Sequence, residues 1–217
     1  MSFLFLTSVC SVCSVVTCAV VPAAGLSTRM GRPKLALPLG DRTVLEHAVA
    51  ALRAGGADHV LVVVGPHVPE LVPLAEAAGA EVCRLAEPTA DMRTTVEHGL
   101  RWLEDRHHPR PDDAWLLAPA DHPTLDSGVV RELCDAFRRD PSHSILIPTH
   151  AGRRGHPALV AWRHVAGIRA LPADRGINAY FRDNATEVRE VPVPSPGVLC
   201  DLDTPEDYER LRQTWGG

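Results

Sequence analysis

No charged residue occurs between Met1 and Val21, and no Lys or Arg stands ahead of the apolar run in that stretch. A secretory signal needs a positive segment before its apolar core. Ser and Thr dilute the run below what a membrane span requires, and cleavage at the Ala-rich site would cut into the loop described below. Residues 1–17 are therefore read as an extension, non-native or from a mis-set start, with a membrane signal as the alternative, ahead of a single domain over residues 18–217. Cysteine is present but lacks a metal-binding pattern. Cys10-x-x-Cys13 has no second Cys pair and no His pair at zinc-finger spacing. The reading is reduced thiols in a cytoplasmic protein, with Cys83, Cys134 and Cys200 as core residues. Also missing are H-E-x-x-H, G-x-S-x-G, G-x-G-x-x-G and any Gly-Lys-Ser/Thr after a glycine loop. These absences leave no support for a zincin, a serine hydrolase, a dinucleotide-binding turn or a Walker loop.

The chain has no internal repeat and no long linker, and its 217 residues suffice for one sizeable core. The 22 basic residues are outnumbered by 27 acidic ones, for a net charge of −5. That balance argues against a broad nucleic-acid surface, so only local basic clusters call for an anionic ligand.

Apolar runs alternate with helical patterns. Val15 to Val21 reads as a buried strand. Thr43-Val44-Leu45-Glu46 forms a capping box for a helix that runs to Ala54 and stops at Gly55-Gly56. Val60 to Val64 is a continuous apolar strand of the kind buried on both faces. Pro69 opens a second helix ending near Gly79, Glu81 to Leu85 is a short strand, and Asp91 to Leu103 is helical. Ala114 to Ala118 and Ser144 to Pro148 are strands, with a helix from Val129 to Phe137 between them. This β-α alternation predicts an α/β fold, three-layered and Rossmann-like, with a mostly parallel sheet and helices on both faces. The last third, with turns around Gly155, Gly176 and Pro192 to Pro196, reads as a lid or acceptor-binding part of the same domain.

The stretch that organises the rest runs from Val20 to Lys34. A strand stops at Ala23, Ala24 and Gly25, and Leu26-Ser27-Thr28-Arg29-Met30-Gly31-Arg32-Pro33-Lys34 follows as a flexible basic loop. Small residues let a ligand approach the backbone, and exposed N–H groups can hold phosphate oxygens. Arg29 offers a planar fork and Lys34 a compact charge. A solvated basic turn is the plain alternative. Pro22 is tolerable at the end of a ladder.

Two carboxylate motifs accompany the loop. Asp121 follows the strand at Ala114 to Ala118, where a ligand is expected in a parallel sheet and where its oxygen can hold a hard cation. An Asp that merely caps the turn is the alternative. Pro123 restricts His122, to which no chemical role is given. Near the C-terminus, Asp201-Leu202-Asp203-Thr204-Pro205-Glu206-Asp207 reads as a helix start, with Thr204 as cap and Pro205 at its first position. Asp201 and Asp203 share a side if that segment is extended, and two carboxylates there can complete a metal site. No Lys or Arg neighbours Asp121 or Asp203 in the sequence, so the pair is expected to repel itself until a cation intervenes.

The string A-A-G-L-S-T-R-M-G-R-P-K-L resembles the signature loop of the MobA-like nucleotidyltransferases, and within them that of the molybdenum cofactor cytidylyltransferases. Pro22 departs from the Leu or other apolar residue usual there. Asp121-His122-Pro123 resembles the family's metal-binding D-x-P, and Asp201 to Asp207 its D-x-D-T-P-E-D segment. Asp91 to Leu100 looks like the segment that meets the base, with Thr95 where Ser is common. The alternative for Thr94 or Thr95 is a helix N-cap. Gly155-His156-Pro157 resembles the acceptor-side G-H-P turn, beside Arg153 and Arg154. A glycosyltransferase reading of D-x-D is disfavoured, because that pair lies mid-chain in sugar-nucleotide transferases.

The resemblance implies a GT-A-like fold and transfer of a nucleoside monophosphate from an NTP, CTP by similarity, to a phosphorylated acceptor, with pyrophosphate released. The acceptor implied is molybdopterin-bound molybdenum, with a molybdoenzyme maturation partner beyond it and no nucleic acid. It places Ala23, Ala24, Gly25, Leu26, Ser27, Arg29, Gly31, Lys34 and Thr95 around the nucleotide. Mg²⁺ falls on Asp121 with Asp203 or, less favoured, Asp201, and the acceptor lies near Gly155 and His156. Arg29, Lys34 and Asp121 carry the chemistry. Alternatives are guanylyl or sugar-phosphate transfer, or a nucleotide-binding protein that delivers cofactor without turnover.

Overall fold

The structure is a computed structural model, and it describes residues 14–215. The expected N-terminal extension lies largely outside them, and Cys10 and Cys13 wholly so. A sheet of eight strands carries helices on both faces. In chain order its path is β1 (Thr17–Ala23), β4 (His59–Val64), β5 (Glu81–Arg84), β6 (Ala114–Leu117), β7 (Ile145–His150), β9 (Ala158–Ala161) and β10 (Val188–Pro192), with β8 (Arg153–Arg154) off the edge of β7. A two-residue hairpin, β2 (Pro38–Leu39) and β3 (Arg42–Thr43), follows the basic loop.

The spatial order is β10-β7-β9-β6-β1-β4-β5. Strand β1 pairs in parallel with both β4 and β6. The chain first moves from β1 towards β5 and then returns to lay β6 on the other side of β1. A ligand crevice opens outside the carboxyl ends of the strands at such a reversal. Strand β9 runs antiparallel to β6 and to β7, so the sheet is mixed in its C-terminal part.

Strand residues alternate between the two faces. Ala19, Val21 and Ala23 pack with Leu45 of α1 (Val44–Ala54), Leu71 of α2 (Leu71–Ala77) and Leu133 of α4 (Ser127–Arg139). Cys18 and Val20 face the other way, with Leu100 of α3 (Met92–His107), Ile168 of α5 (Val165–Arg169) and Phe181 of α6 (Ile177–Asp183). Helix α3 comes close to the sheet at Gly99, where a Cβ would lie 2.8 Å from Val63 and 2.9 Å from Val20. The last helix, α7 (Pro205–Trp215), tucks Tyr208 into the first core, and its hydroxyl donates to Pro38 O at 2.5 Å.

Several boundaries differ from expectation. β1 begins at Thr17 and runs on to Ala23. Its ladder with β6 ends at Val20 while that with β4 continues through Pro22, so Pro22 has a neighbouring strand on one side only. Helix α3 starts at Met92 and extends to His107, capped by Asp91 rather than by Thr94 or Thr95: the Asp91 side chain accepts from Thr94 N at 2.7 Å. Cys83 and Cys134 are buried, but Cys200 is only partly so and is not core. The Thr43–Glu46 capping box is formed, with both reciprocal bonds.

Candidate active site

An open cleft of about 480 Å³ lies at the carboxyl ends of β1 and β6. Residues 23–27, Arg29, Lys34, Thr95, Asp121 and Asp203 line it together. Gly31, Asp201, Gly155 and His156 do not.

The basic loop has regular local structure. It folds into two short 3-10 turns, Thr28–Met30 and Lys34–Ala36, pinned because Met30 and Leu35 are buried. Ser27 sits between the strand and the first turn at φ +49°, a left-handed conformation that is uncommon for a residue with a side chain. Its hydroxyl accepts from Lys34 N at 3.4 Å, which draws the two ends of the loop together.

Lys34 is the sole lysine of the chain. Its Nζ lies 2.6 Å from Asp121 Oδ2, 3.0 Å from Asp203 Oδ1 and 2.7 Å from Leu202 O. Arg29 meets the other oxygen of Asp203 at 2.9 Å. The expectation that no cation neutralises the two acids is therefore wrong. Their positive partners are distant in sequence and arrive through the fold. Burial alone would lower the Lys34 pKa, and Asp121 with Asp203 more than offset it, leaving the ammonium above its ordinary range. For Asp203, burial opposes ionisation, but Lys34 and Arg29 prevail and hold the carboxyl below its ordinary range.

Local structure fixes both acids. Leu202 is fully buried and its N–H donates to Asp121 O at 2.9 Å, tying the D-x-D segment to the end of β6. Asp207 accepts from Thr204 N at 2.9 Å and Asp203 N at 3.2 Å, while Thr204 Oγ1 accepts from Asp207 N at 3.2 Å. This reciprocal cap at the start of α7 sets the direction of Asp203. Asp201, on the far side of Leu202, is exposed.

Thr95 is buried, and its hydroxyl already donates to Asp91 O at 3.1 Å and meets Thr89 Oγ1 at 2.6 Å. Leu26, already placed around the nucleotide by the resemblance, and Met92, which sequence reasoning did not single out, stand out beside it. Leu26 and Met92 are the exposed large hydrophobics among the described residues, 67% and 46% exposed, and both line the cleft. An apolar side chain left in water at a cleft mouth is the available signal for Met92, which the sequence offers only as part of the Asp91 to Leu100 string.

His156 lines a smaller cavity of about 270 Å³ with Gly155. A Cβ on Gly155 would lie 2.3 Å from Val198 O, so only glycine fits there. The His156 ring meets that of His122 edge-on at 5.3 Å. Burial, then His122, pushes His156 down to about 4, and burial also lowers His122, so both rings are neutral at pH 7. His122 Nε2 stands 4.0 Å from Asp121 Oδ1, outside hydrogen-bond reach. The two histidines thus lie between the second cavity and Asp121.

Residues 19–189 match the MobA-like NTP transferase domain. The molybdenum cofactor cytidylyltransferase of Escherichia coli is 25% identical over 90% of this chain and 95% of that protein. The nicotine blue oxidoreductase of Paenarthrobacter nicotinovorans is 26% identical over 88% of this chain and 94% of its own. Among solved structures, Rv0371c of Mycobacterium tuberculosis in complex with manganese superposes with a TM-score of 0.71 at 26% identity, covering 92% of this chain and 99% of that one. The chain belongs to the MobA-like NTP transferase domain family, and by that membership it is a nucleotidyltransferase.

Proposed function

We propose that this protein transfers a cytidylyl group from CTP to molybdopterin-bound molybdenum and releases pyrophosphate. The observation that carries the reading is the meeting of Lys34, Asp121 and Asp203 at the mouth of the 23–34 loop. In this reading the loop N–H groups, Arg29 and Lys34 hold the triphosphate, and Leu26 and Met92 flank the base. Thr95 braces Asp91 and the start of α3, since its hydroxyl proton is already used. The acceptor enters on the His156 side, and its terminal phosphate oxygen attacks the α-phosphorus. The bond between the α-phosphorus and the bridging oxygen to the β-phosphate breaks, and pyrophosphate carries that electron pair away. Positioning and charge neutralisation then account for catalysis, with no covalent enzyme intermediate.

The donor set suits a hard cation: two carboxylates line the cleft, and the His122 ring stays 4.0 Å from Asp121 Oδ1. Asp121 and Asp203 would hold Mg²⁺, which neutralises phosphate charge during transfer. The catalytic unit in this reading is one domain over residues 18–217 in a cytoplasmic protein that hands its product to a molybdoenzyme maturation partner. Among the described residues no helix is long and apolar enough to cross a membrane.

A thermal-shift screen of four NTPs with Mg²⁺, followed by pyrophosphate release with molybdopterin-bound molybdenum, tests this. CTP should give the largest shift and acceptor-dependent pyrophosphate. A preference for GTP would move the assignment to guanylyl transfer. Binding without turnover would make the protein a cofactor carrier.

A further inference from the structure

A second cluster of ligating side chains lies at the end of the sheet opposite the cleft. His59 is the first residue of β4, Glu81 the first of β5 and His107 the last of α3. His59, Leu61 and Val63 alternate onto the α3 face of the sheet, as do Glu81 and Cys83. The C-terminal end of α3 brings His107 over them. His59 Nδ1 lies 3.2 Å from Glu81 Oε1, and His107 Nε2 lies 3.1 Å from each Glu81 oxygen. The two imidazoles stack with centroids 3.8 Å apart and planes tilted by 32°. All three ligand atoms fall within 4.8 Å of one another, and this is the single such group of three among the described residues.

We propose that His59, Glu81 and His107 form a binding site for a divalent transition metal, with Zn²⁺ as the ion that fits best. Zinc takes imidazole nitrogen and carboxylate oxygen at about 2.0–2.2 Å in tetrahedral geometry, which sets ligand atoms roughly 3.3 Å apart. The two imidazole-to-carboxylate separations, 3.2 and 3.1 Å, are close to that edge, and the two nitrogens lie within 4.8 Å of each other. Two nitrogens and one oxygen select zinc-like ions over Mg²⁺, which prefers an all-oxygen shell. The side chains keep 21–36% of their surface in water, so an ion has a way in and a solvent ligand can complete the shell. A bound ion would cross-link β4, β5 and α3. Helix α3, 16 residues and about 24 Å long, presents Met92 and Thr95 to the cleft near its other end. The site is thus structural and separate from the acids of the cleft.

The test is zinc titration of the metal-stripped full chain against a chromophoric chelator, with unfolding temperature as a second readout. One tight equivalent is expected, retained in D121N/D203N and in C10S/C13S. E81Q and H107Q should each weaken it by at least ~10-fold, and zinc should raise the unfolding temperature of the wild type but not of E81Q. X-ray absorption of the wild-type complex should show two imidazoles in a nitrogen and oxygen shell, which keeps the proposal testable if a variant fails to fold. Unchanged zinc affinity in folded H59Q/H107Q, a sulfur shell, or no tight equivalent at all would overturn it.

Discussion

The Nζ of Lys34 lies 2.6 Å from Oδ2 of Asp121, across 87 residues of chain. The same ammonium meets Asp203 at 3.0 Å, so one cation holds two acids that would otherwise repel each other. Lys34 is therefore a brace within the fold as well as the proposed phosphate contact. Its side chain is 15% exposed, and it braces the end of β6 against the start of α7.

Lys34→Ala should abolish transfer and also lower stability, by about 1–3 kcal/mol in metal-free buffer, because it leaves two half-buried carboxylates facing each other. Mg²⁺ should restore part of the stability and none of the activity. Chemical denaturation with and without Mg²⁺, beside a pyrophosphate assay, reads both effects. Unchanged stability of the variant in chelator would show that the ion pairs contribute nothing.

Asp121→Asn and Asp203→Asn should each reduce turnover by at least ~100-fold, the order expected when one strong transition-state electrostatic contact is lost. Asp201→Asn should cost far less, since Asp201 does not line the cleft. Metal-free stability of the first two variants should fall, because each loses a partner of Lys34. Wild-type turnover in Asp121→Asn, or full activity of the wild type in excess chelator, would remove this acid and the metal from the reaction.

The ion pairs also set a pH window. Lys34 is raised above its ordinary 10.5, so its contribution is complete below that value and is lost as pH rises through the folded-state pKa. Asp203 is lowered below its ordinary 3.8, so its contribution is complete above that value and is lost as pH falls through the folded-state pKa. Stability from this cluster should be level between the two limits. Comparing stability against pH for wild type, Lys34→Met and Asp203→Asn should show a gentler alkaline fall in the first variant and a gentler acid fall in the second.

Gly99→Ala should destabilise by about 1–3 kcal/mol, because the added methyl overpacks Val20 and Val63. The strain is relieved by lifting α3, which carries Met92 and Thr95, so nucleotide affinity should fall as well. Thermal unfolding and a nucleotide titration check the pair, and a wild-type stability would mean that α3 has room at this crossing.

Local patterns were legible in the sequence. The Thr43–Glu46 box spans four residues, and the apolar runs at Val60 to Val64 and Ala114 to Ala118 announce strands without reference to anything distant. The loop, Asp121 and Asp203 were also readable as strings, and they do share one cleft. What the sequence hid is which charge meets which. The partners of Lys34 lie 87 and 169 residues away, and no spacing rule reaches that far. Asp91 took the cap from Thr94 and Thr95 because an Asp three residues ahead of Thr94 reaches its N–H directly. Strand β9 escaped notice because four apolar residues say nothing about direction, and antiparallel pairing is decided by β6 and β7 on either side.

Asp203 stands more than 200 residues from the start of the chain, and its position depends on Leu202 and on the cap that Asp207 makes with Thr204. A ribosome delivers Lys34 and Asp121 long before it delivers that segment. Without the segment around Leu202 and Asp203 the lysine has one acid to hold. Products that terminate early, or that are clipped ahead of residue 200, can therefore keep the sheet and the loop yet lack half of the charged centre. The charged centre is therefore assembled by long-range contacts rather than by any local stretch of chain.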